Sequence, residues 1–354
     1  MNLELTDEQA ALRDTVRHYL AEKASVTTHV RLMLDDQTGT TAEVWRGLSA
    51  LGATGVLVPQ EFGGSGMTMV EAGVVAEELG AALHPGPWLS SAVAATRALT
   101  RTGADAGPLF TGIADGSTIA TVGPLTGPRP LVENGTMSGM IDALPDAAAA
   151  DVVLVLADEG GRTGLFAVDA RSDDVDAVKR THVDPTQKLF DVTLAGVPAR
   201  WLAFPSEADV QGLIDDVLIA HAADALGAAT AVMNLAVEYA KVRRQFEQPI
   251  GSFQAVQHLC VDMFEIVELA RSGVLHALWA ADAAPPGERH LAAVRAKAYA
   301  GQLATVADNA IQVFGGIGYT WEHDAHLYLK RLLGWNAFLG GSDKYLQEVG
   351  RALL

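Results

Sequence analysis

The sequence predicts an α+β fold in three parts: an N-terminal helical domain over 1–115, a middle β domain over 116–204 and a C-terminal four-helix-bundle domain over 205–354. Three observations predict it. Apolar residues recur at helical spacing at both ends of the chain, the period shortens in the middle to runs of β-branched residues, and prolines and glycines mark the changes.

The first helix opens on Thr6 as an N-cap ahead of Asp7 and Glu8, acids that suit the positive end of a helix dipole. Leu12, Val16 and Leu20 then follow four apart, and further on Ala72, Val75, Ala76 and Leu79 share a face that Glu77 and Glu78 avoid. Between these helices LGATGVLVPQEFGGSG carries the loop residues Pro59, Gly63, Gly64 and Gly66. From Gly116 to Arg200 the segments STIATVG, DVVLVLAD, GLFAVDA and LFDVTLAG read as strands. MIDALPDAAAAD among them reads as a turn and small-residue linker, because Pro145 interrupts any helix. After Pro205 three long helical patterns follow: the first runs through VRRQF to Pro249 and Gly251, the second to Pro285 and Pro286, the third from RHLAAV to Gly315 and Gly316. Helices of this length pack as a bundle.

Composition narrows the function. With 49% hydrophobic and 19% charged residues, the 354-residue chain has enough apolar content for a large core. A net charge of -18, from 43 acidic and 25 basic residues, disfavours nucleic acid and anionic membrane surfaces as partners. It leaves room for an anionic cofactor held by a few local arginines. The single cysteine, Cys260, allows no intrachain disulfide and reads as a small core residue. His221, His258, His323 and His326 form no recognisable ligand set, so no metal is expected. The N-terminus MNLELTDEQA lacks the basic and apolar regions of a secretory signal, and no run of about 18 apolar residues is long enough to span a bilayer. A cytoplasmic location is the expectation.

Three motifs carry a resemblance: VPQEFGGSGM at Val58–Met67, YAKVRRQFEQPIGSFQAVQH at Tyr239–His258, and AIQVFGGIGYTWEHDAHLYLKR at Ala310–Arg331. In that order, with DPTQKLFDVTLAGVPA closing the β region, they resemble the acyl-CoA dehydrogenase family over nearly the whole chain. The resemblance implies FAD, with the flavin ring in one subunit's cleft and its pyrophosphate and adenine held by a neighbour. Carried over, Arg243 pairs with the pyrophosphate, Phe246 shares its helix face, Gln254 contacts the nucleotide, Gln312 supplies amide contacts, and Gly315 and Gly316 let backbone amides approach.

Family chemistry removes a proton α to a thioester carbonyl while hydride leaves the β carbon for the flavin, so a carboxylate base must face the ring. The sequence departs from the family at that base. Of the two positions where members carry the glutamate, the first matches Gly340 within LGGS and the second, ten residues before Gly227, matches Val217. Asp215 and Asp216 are expected to be solvated rather than catalytic, with Asp216 kept as a candidate for a one-residue register error. The family's T-E-P-x-A-G-S-D loop and W-I-T-N segment are replaced by TVGPLTGPRPLV and IDALPDAAAAD.

The resemblance thus implies the base-lacking subunit of a heteromeric α2β2 acyl-CoA dehydrogenase, with a related partner chain carrying the base. Such enzymes often act on bulky acyl-CoA thioesters, including sterol-derived ones, and pass electrons to an electron-transfer flavoprotein. Two alternatives stay open: a self-sufficient homomer using a displaced acid such as Asp216 or Asp343, and a non-catalytic scaffold without flavin. A DNA-binding role is poorly matched to the charge of -18.

Overall fold

A computed structural model describes residues 4–354; Met1, Asn2 and Leu3, at the start of the segment read for a signal, lie outside the described residues. Helices α1 (Asp7–Lys23), α2 (Arg31–Met33), α3 (Ala42–Ala50), α4 (Met69–Ala81), α5 (Thr96–Arg101) and α6 (Gly107–Ala114) come first. Thr6 caps α1 in a reciprocal capping box with Gln9, and Val16 and Leu20 are buried. The α4 face differs from expectation at one residue. Glu78 is only 5% exposed, because Arg17 of α1 holds it with two bonds of 2.9 and 2.7 Å.

The sheet contains β1 (Ala120–Gly123), β2 (Leu131–Glu133), β3 (Thr136–Pro145), β4 (Val152–Glu159), β5 (Arg162–Asp169), β6 (Val175–Lys179), β7 (Leu189–Pro198) and β8 (Arg200–Ala203). Its order is β6-β7-β3-β2-β4-β5-β8, with β1 parallel to β4. MIDALP, read from sequence as a turn and linker, is the second half of β3 and pairs with β7. Pro145 is tolerated because it closes the strand, and the turn begins only at Asp146.

The C-terminal helices are α7 (Glu207–Val242), α8 (Gln254–Ala283), α9 (Pro286–Ala298), α10 (Ala300–Phe314), α11 (Ala325–Ala337) and α12 (Ser342–Leu353). Two boundaries differ from the sequence reading. The first helix stops at Val242, and a hairpin of β9 (Arg244–Gln245) and β10 (Gln248–Pro249) follows, turning through Phe246 and Glu247 at φ 51° and 67°. Such left-handed turn residues are usually glycine or asparagine, so the hairpin carried no signal. The third pattern is two helices, α9 and α10, broken at Tyr299 with neither proline nor glycine at the break.

α7 forms the spine and packs on α4 at very short range: a Cβ on Gly80 would lie 1.9 Å from the Asp224 carbonyl oxygen, and one on Gly227 1.8 Å from that of Glu77. Although α7 is long and apolar enough to cross a membrane by composition, 83% of its most apolar window is buried in this fold.

Candidate functional site

Where the three parts meet, a cavity of about 550 Å³ opens. Ser90 and Ala94 line it from the N-terminal part, Ile141, Leu144 and Asp146 from the end of β3, and Val217, His221, Phe338 and Gly340 from the C-terminal helices. The end of β1 and the loop after it, Val122–Gly127, complete the wall. Short bonds fix these segments to one another. Ser91 Oγ accepts from the Ala120 amide at 3.1 Å, and Thr121 Oγ1 donates to the Pro145 carbonyl at 2.7 Å.

A buried polar network supports the wall. Arg331 of α11 donates to both carboxylate oxygens of Asp224 on α7 at 2.9 and 2.7 Å, to Thr186 Oγ1 at 2.9 Å and to the His84 carbonyl at 3.3 Å. One guanidinium therefore ties all three parts together, its fork matched to the carboxylate. Lys188 donates to the carbonyls of Met33, Leu34 and Pro185 at 2.7, 3.0 and 2.9 Å, and burial lowers its ammonium to about 8. Asp146 accepts from Ser90 Oγ at 2.6 Å, and burial raises its carboxyl to about 6. Burial lowers the imidazole of His221 to about 4, and its ring stacks on Phe338 at 4.4 Å. Sequence reasoning missed Arg331, Asp146 and Lys188, since single charged residues in a helix or loop carry no pattern. The one available signal was the Asp-x-Thr turn, in which Asp184 accepts from the amide and hydroxyl of Thr186 at 2.9 and 2.6 Å.

Val217 and Gly340, the positions that the sequence resemblance matches to a base, both border the cavity. The acids among the described lining residues are Asp142 and Asp146. Asp216 is elsewhere and is not solvated as expected: it is fully buried, held by Arg97 Nε at 2.7 Å and Arg101 at 2.8 and 2.9 Å. Asp215 is also fully buried and meets His290 Nδ1 at 2.8 Å. Both lie inside because α5 and α9 pack against this side of α7 with cations ready to pair. Asp343 is exposed in the first turn of α12 and does not line the cavity.

Arg243, Phe246, Gln254, Gln312, Gly315 and Gly316 are all exposed, at the opposite end of α7. Tyr239 packs on Phe314 at 5.0 Å, setting the end of α7 beside the glycine pair. The Arg243 carbonyl accepts from the Ile250 amide at 2.7 Å, which folds the loop back before Gln254 opens α8. Arg243 and Phe246 do not share a helix face, since both follow the last residue of α7; Phe246 sits in the hairpin turn, 85% exposed and edge-on to Phe253. Gly315 adopts φ 64°, a conformation that favours glycine. Gly316 does not, and a Cβ there would meet nothing within 4 Å among the described residues.

The remaining candidates have packing surroundings. Cys260 is partly exposed on α8 rather than fully buried, with its thiol pushed up by burial. His258 is exposed, His323 packs tilted against Phe314, and His326 meets Trp321 edge-on. Among the described residues no three His, Cys, Asp or Glu side chains are grouped to hold a metal ion.

The models of the acyl-CoA dehydrogenase N-terminal and C-terminal domains match residues 6–107 and 213–354. The chain is 35% identical to the acyl-CoA dehydrogenase IpdE2 of Mycobacterium tuberculosis over 97% of its own length and 96% of the relative's. The chain belongs to the acyl-CoA dehydrogenase family. It is also 37% identical to the acyl-CoA dehydrogenase FadE34 of Mycobacterium tuberculosis over 98% of its length, but spans only 48% of that longer protein. Among solved structures, a variant of the Tcur3481-Tcur3483 steroid acyl-CoA dehydrogenase superimposes with a TM-score of 0.88 at 27% identity, covering 98% of both chains.

Acyl-CoA dehydrogenases depend on FAD, and the exposed end of α7 fits the nucleotide part of that group. Among the described residues Arg243 has no carboxylate partner, so its forked donors remain available to a pyrophosphate. The absent side chain at Gly316 serves no packing inside the chain, which leaves backbone open to approach from outside.

Proposed function

We propose that this chain is the base-lacking subunit of an FAD-dependent acyl-CoA dehydrogenase that desaturates an acyl-CoA thioester between its α and β carbons. In this reading it lends the nucleotide end of the flavin site to a related partner chain that carries the base. One observation carries the reading. Val217 borders the cavity near the start of α7 and Arg243 follows its end, so about 39 Å of helix at 1.5 Å per residue separates them. That length exceeds a dinucleotide, and the two half-sites belong to different cofactors.

When bound, FAD supplies the hydride acceptor. Arg243 would hold the pyrophosphate by charge and paired donors, and Gln254 and Gln312 would bond the nucleotide. Gly315 and Gly316 would offer unobstructed amides. The chain's own cavity supplies no carboxylate at Val217 or Gly340, so proton abstraction falls to the partner.

The name of the Tcur3481-Tcur3483 steroid enzyme joins two gene products, and FadE34 is about twice as long as this chain; both support a working unit of two such folds. By the likeness to the steroid enzyme we assign the assembly a bulky, ring-bearing acyl group, and from the family resemblance an electron-transfer flavoprotein as acceptor.

A second reading has one observation in its favour: Asp146 lines the cavity with its carboxyl raised to about 6, a value suited to a base. It lies on the β-domain side, bonded to Ser90, rather than on the helical wall that carries Val217 and Gly340. Purification separates the readings. The chain alone should be colourless and inactive, and flavin-loaded and active with its partner; a yellow, active homomer that loses turnover on Asp146→Asn would establish the second.

A further inference from the structure

The base and the family's ring-contacting motifs are gone from this chain's cavity, yet the cavity itself remains at about 550 Å³. A cleft of that size is enough for a drug-sized molecule to occupy. Its walls define what can. Val122, Leu125, Ile141, Leu144, Val217 and Phe338 give it a mostly apolar lining.

The cations in the wall are already engaged, and its acids are Asp142 and Asp146, the latter bonded to Ser90. Arg331 gives four of its five N–H donors to Asp224, Thr186 and the His84 carbonyl, with Asp184 Oδ2 3.8 Å from Nη1, and Lys188 gives all three of its own to backbone carbonyls. Neither has a donor directed at an incoming carboxylate or phosphate. His221 differs. It stands one turn beyond Val217 on the same side of α7, flanked by the rings of Trp335 and Phe338, half-buried at the cavity wall, and its ring nitrogens have no hydrogen-bond partner among the described residues. Burial keeps the imidazole neutral, so one nitrogen donates and the other accepts.

We infer that this cavity is a binding pocket for an uncharged, largely apolar molecule whose single carbonyl or hydroxyl group hydrogen-bonds His221. The ligand is held without being transformed, since neither Val217 nor Gly340 can take a proton. The inference rests on the functional reading above, because a flavin ring and a reacting thioester in this cleft would leave no room for such a ligand.

The test uses the protein assembled with its partner, titrated by calorimetry with progesterone, a neutral ring ketone, and with cholate, a carboxylate of similar bulk. Progesterone should bind once per copy of this chain, with cholate at least tenfold weaker. His221→Phe, which keeps the ring stack and deletes both nitrogens, should weaken progesterone at least fivefold. Leu125→Trp, at the partly exposed rim, should remove binding by filling the space, with circular dichroism and flavin content unchanged. Progesterone binding that neither substitution alters, no progesterone binding, or cholate binding as tightly as progesterone, with one flavin per pair of chains, overturns the pocket and leaves the functional reading intact. One flavin per copy of this chain, seated in this cleft, overturns both.

Discussion

Val217 on α7 and Gly340 in the turn before α12 border the same cavity. Two segments more than a hundred residues apart thus bring together the two positions that the sequence resemblance matches to a base, and neither carries a carboxylate. Restoring one there tests what the cavity can still do. Val217→Glu should bury a carboxylate in an apolar wall, raise its own pKa and destabilise the chain by about 2 kcal/mol or more. It should give the isolated chain no dehydrogenase activity. Thermal denaturation and a dye-reduction assay measure the two outcomes, and turnover by the isolated variant would show that flavin and substrate reach this cleft.

Asp216 should matter for stability and not for proton transfer. Arg97 and Arg101 hold it from both sides while it is fully buried. Asp216→Asn leaves two guanidiniums with a weaker partner, a loss of about 3–5 kcal/mol. Urea denaturation reads that loss, and the kcat of whatever assembled enzyme still folds should be unchanged. A folded variant of full stability and no activity would make Asp216 the base after all.

The contact of His290 with Asp215 and Glu348, 2.8 Å to each, joins α9, α7 and α12. Hydrogen bonding to Asp215 first, and to Glu348, raises its imidazolium to about 9 against the opposing effect of burial. A histidine raised on folding stabilises fully below its unfolded value near 6.5, and that contribution is lost as pH climbs through about 9. His290 keeps a third of its side chain exposed, so solvent screening limits the effect to about 1–2 kcal/mol. Wild-type stability should therefore drop between pH 6.5 and 9.5 relative to His290→Gln; parallel curves for the two proteins would refute the clamp.

Arg331 and Asp224 form the pair that joins the three parts of the fold. Asp224→Asn should destabilise by about 3–5 kcal/mol, because the buried guanidinium loses its hydrogen-bonded counter-charge and keeps only Asp184, 3.8 Å away. Guanidinium chloride unfolding followed by tryptophan fluorescence checks this, and a change below about 1 kcal/mol would mean that Thr186 and the His84 carbonyl suffice.

How far the sequence reached depended on the kind of signal. Periodicity marked α1 and α4, capping marked the start of α1 and apolar runs marked β1, β4, β5 and β7, since Thr6, Val16 and Leu20 or the β-branched runs are local patterns. The end of α7 was hidden because Phe246 and Glu247 occupy left-handed positions that glycine or asparagine usually announce. The break at Tyr299, at φ -82°, was hidden because neither proline nor glycine stands there. The burial of Asp215, Asp216 and Glu78 was invisible because their partners Arg17, Arg97, Arg101 and His290 are distant in sequence. The polar network behind the cavity likewise depends on long-range contacts such as Arg331 with Asp224. Arg243, Gln254, Gln312 and the two glycines were legible only as spaced motifs, and their common neighbourhood arises from the Tyr239–Phe314 contact that no local pattern encodes.

The central claim is that this chain completes a flavin site in a neighbour. The flavin-to-protein ratio of the assembled enzyme, measured after Arg243→Ala in this chain alone, tests it most directly. Losing one charge-assisted pyrophosphate contact, about 1.5–3 kcal/mol, should weaken flavin retention by more than tenfold while the complex stays assembled, and Arg243→Lys should recover part of it. Undiminished flavin in an intact complex carrying Arg243→Ala would contradict the account.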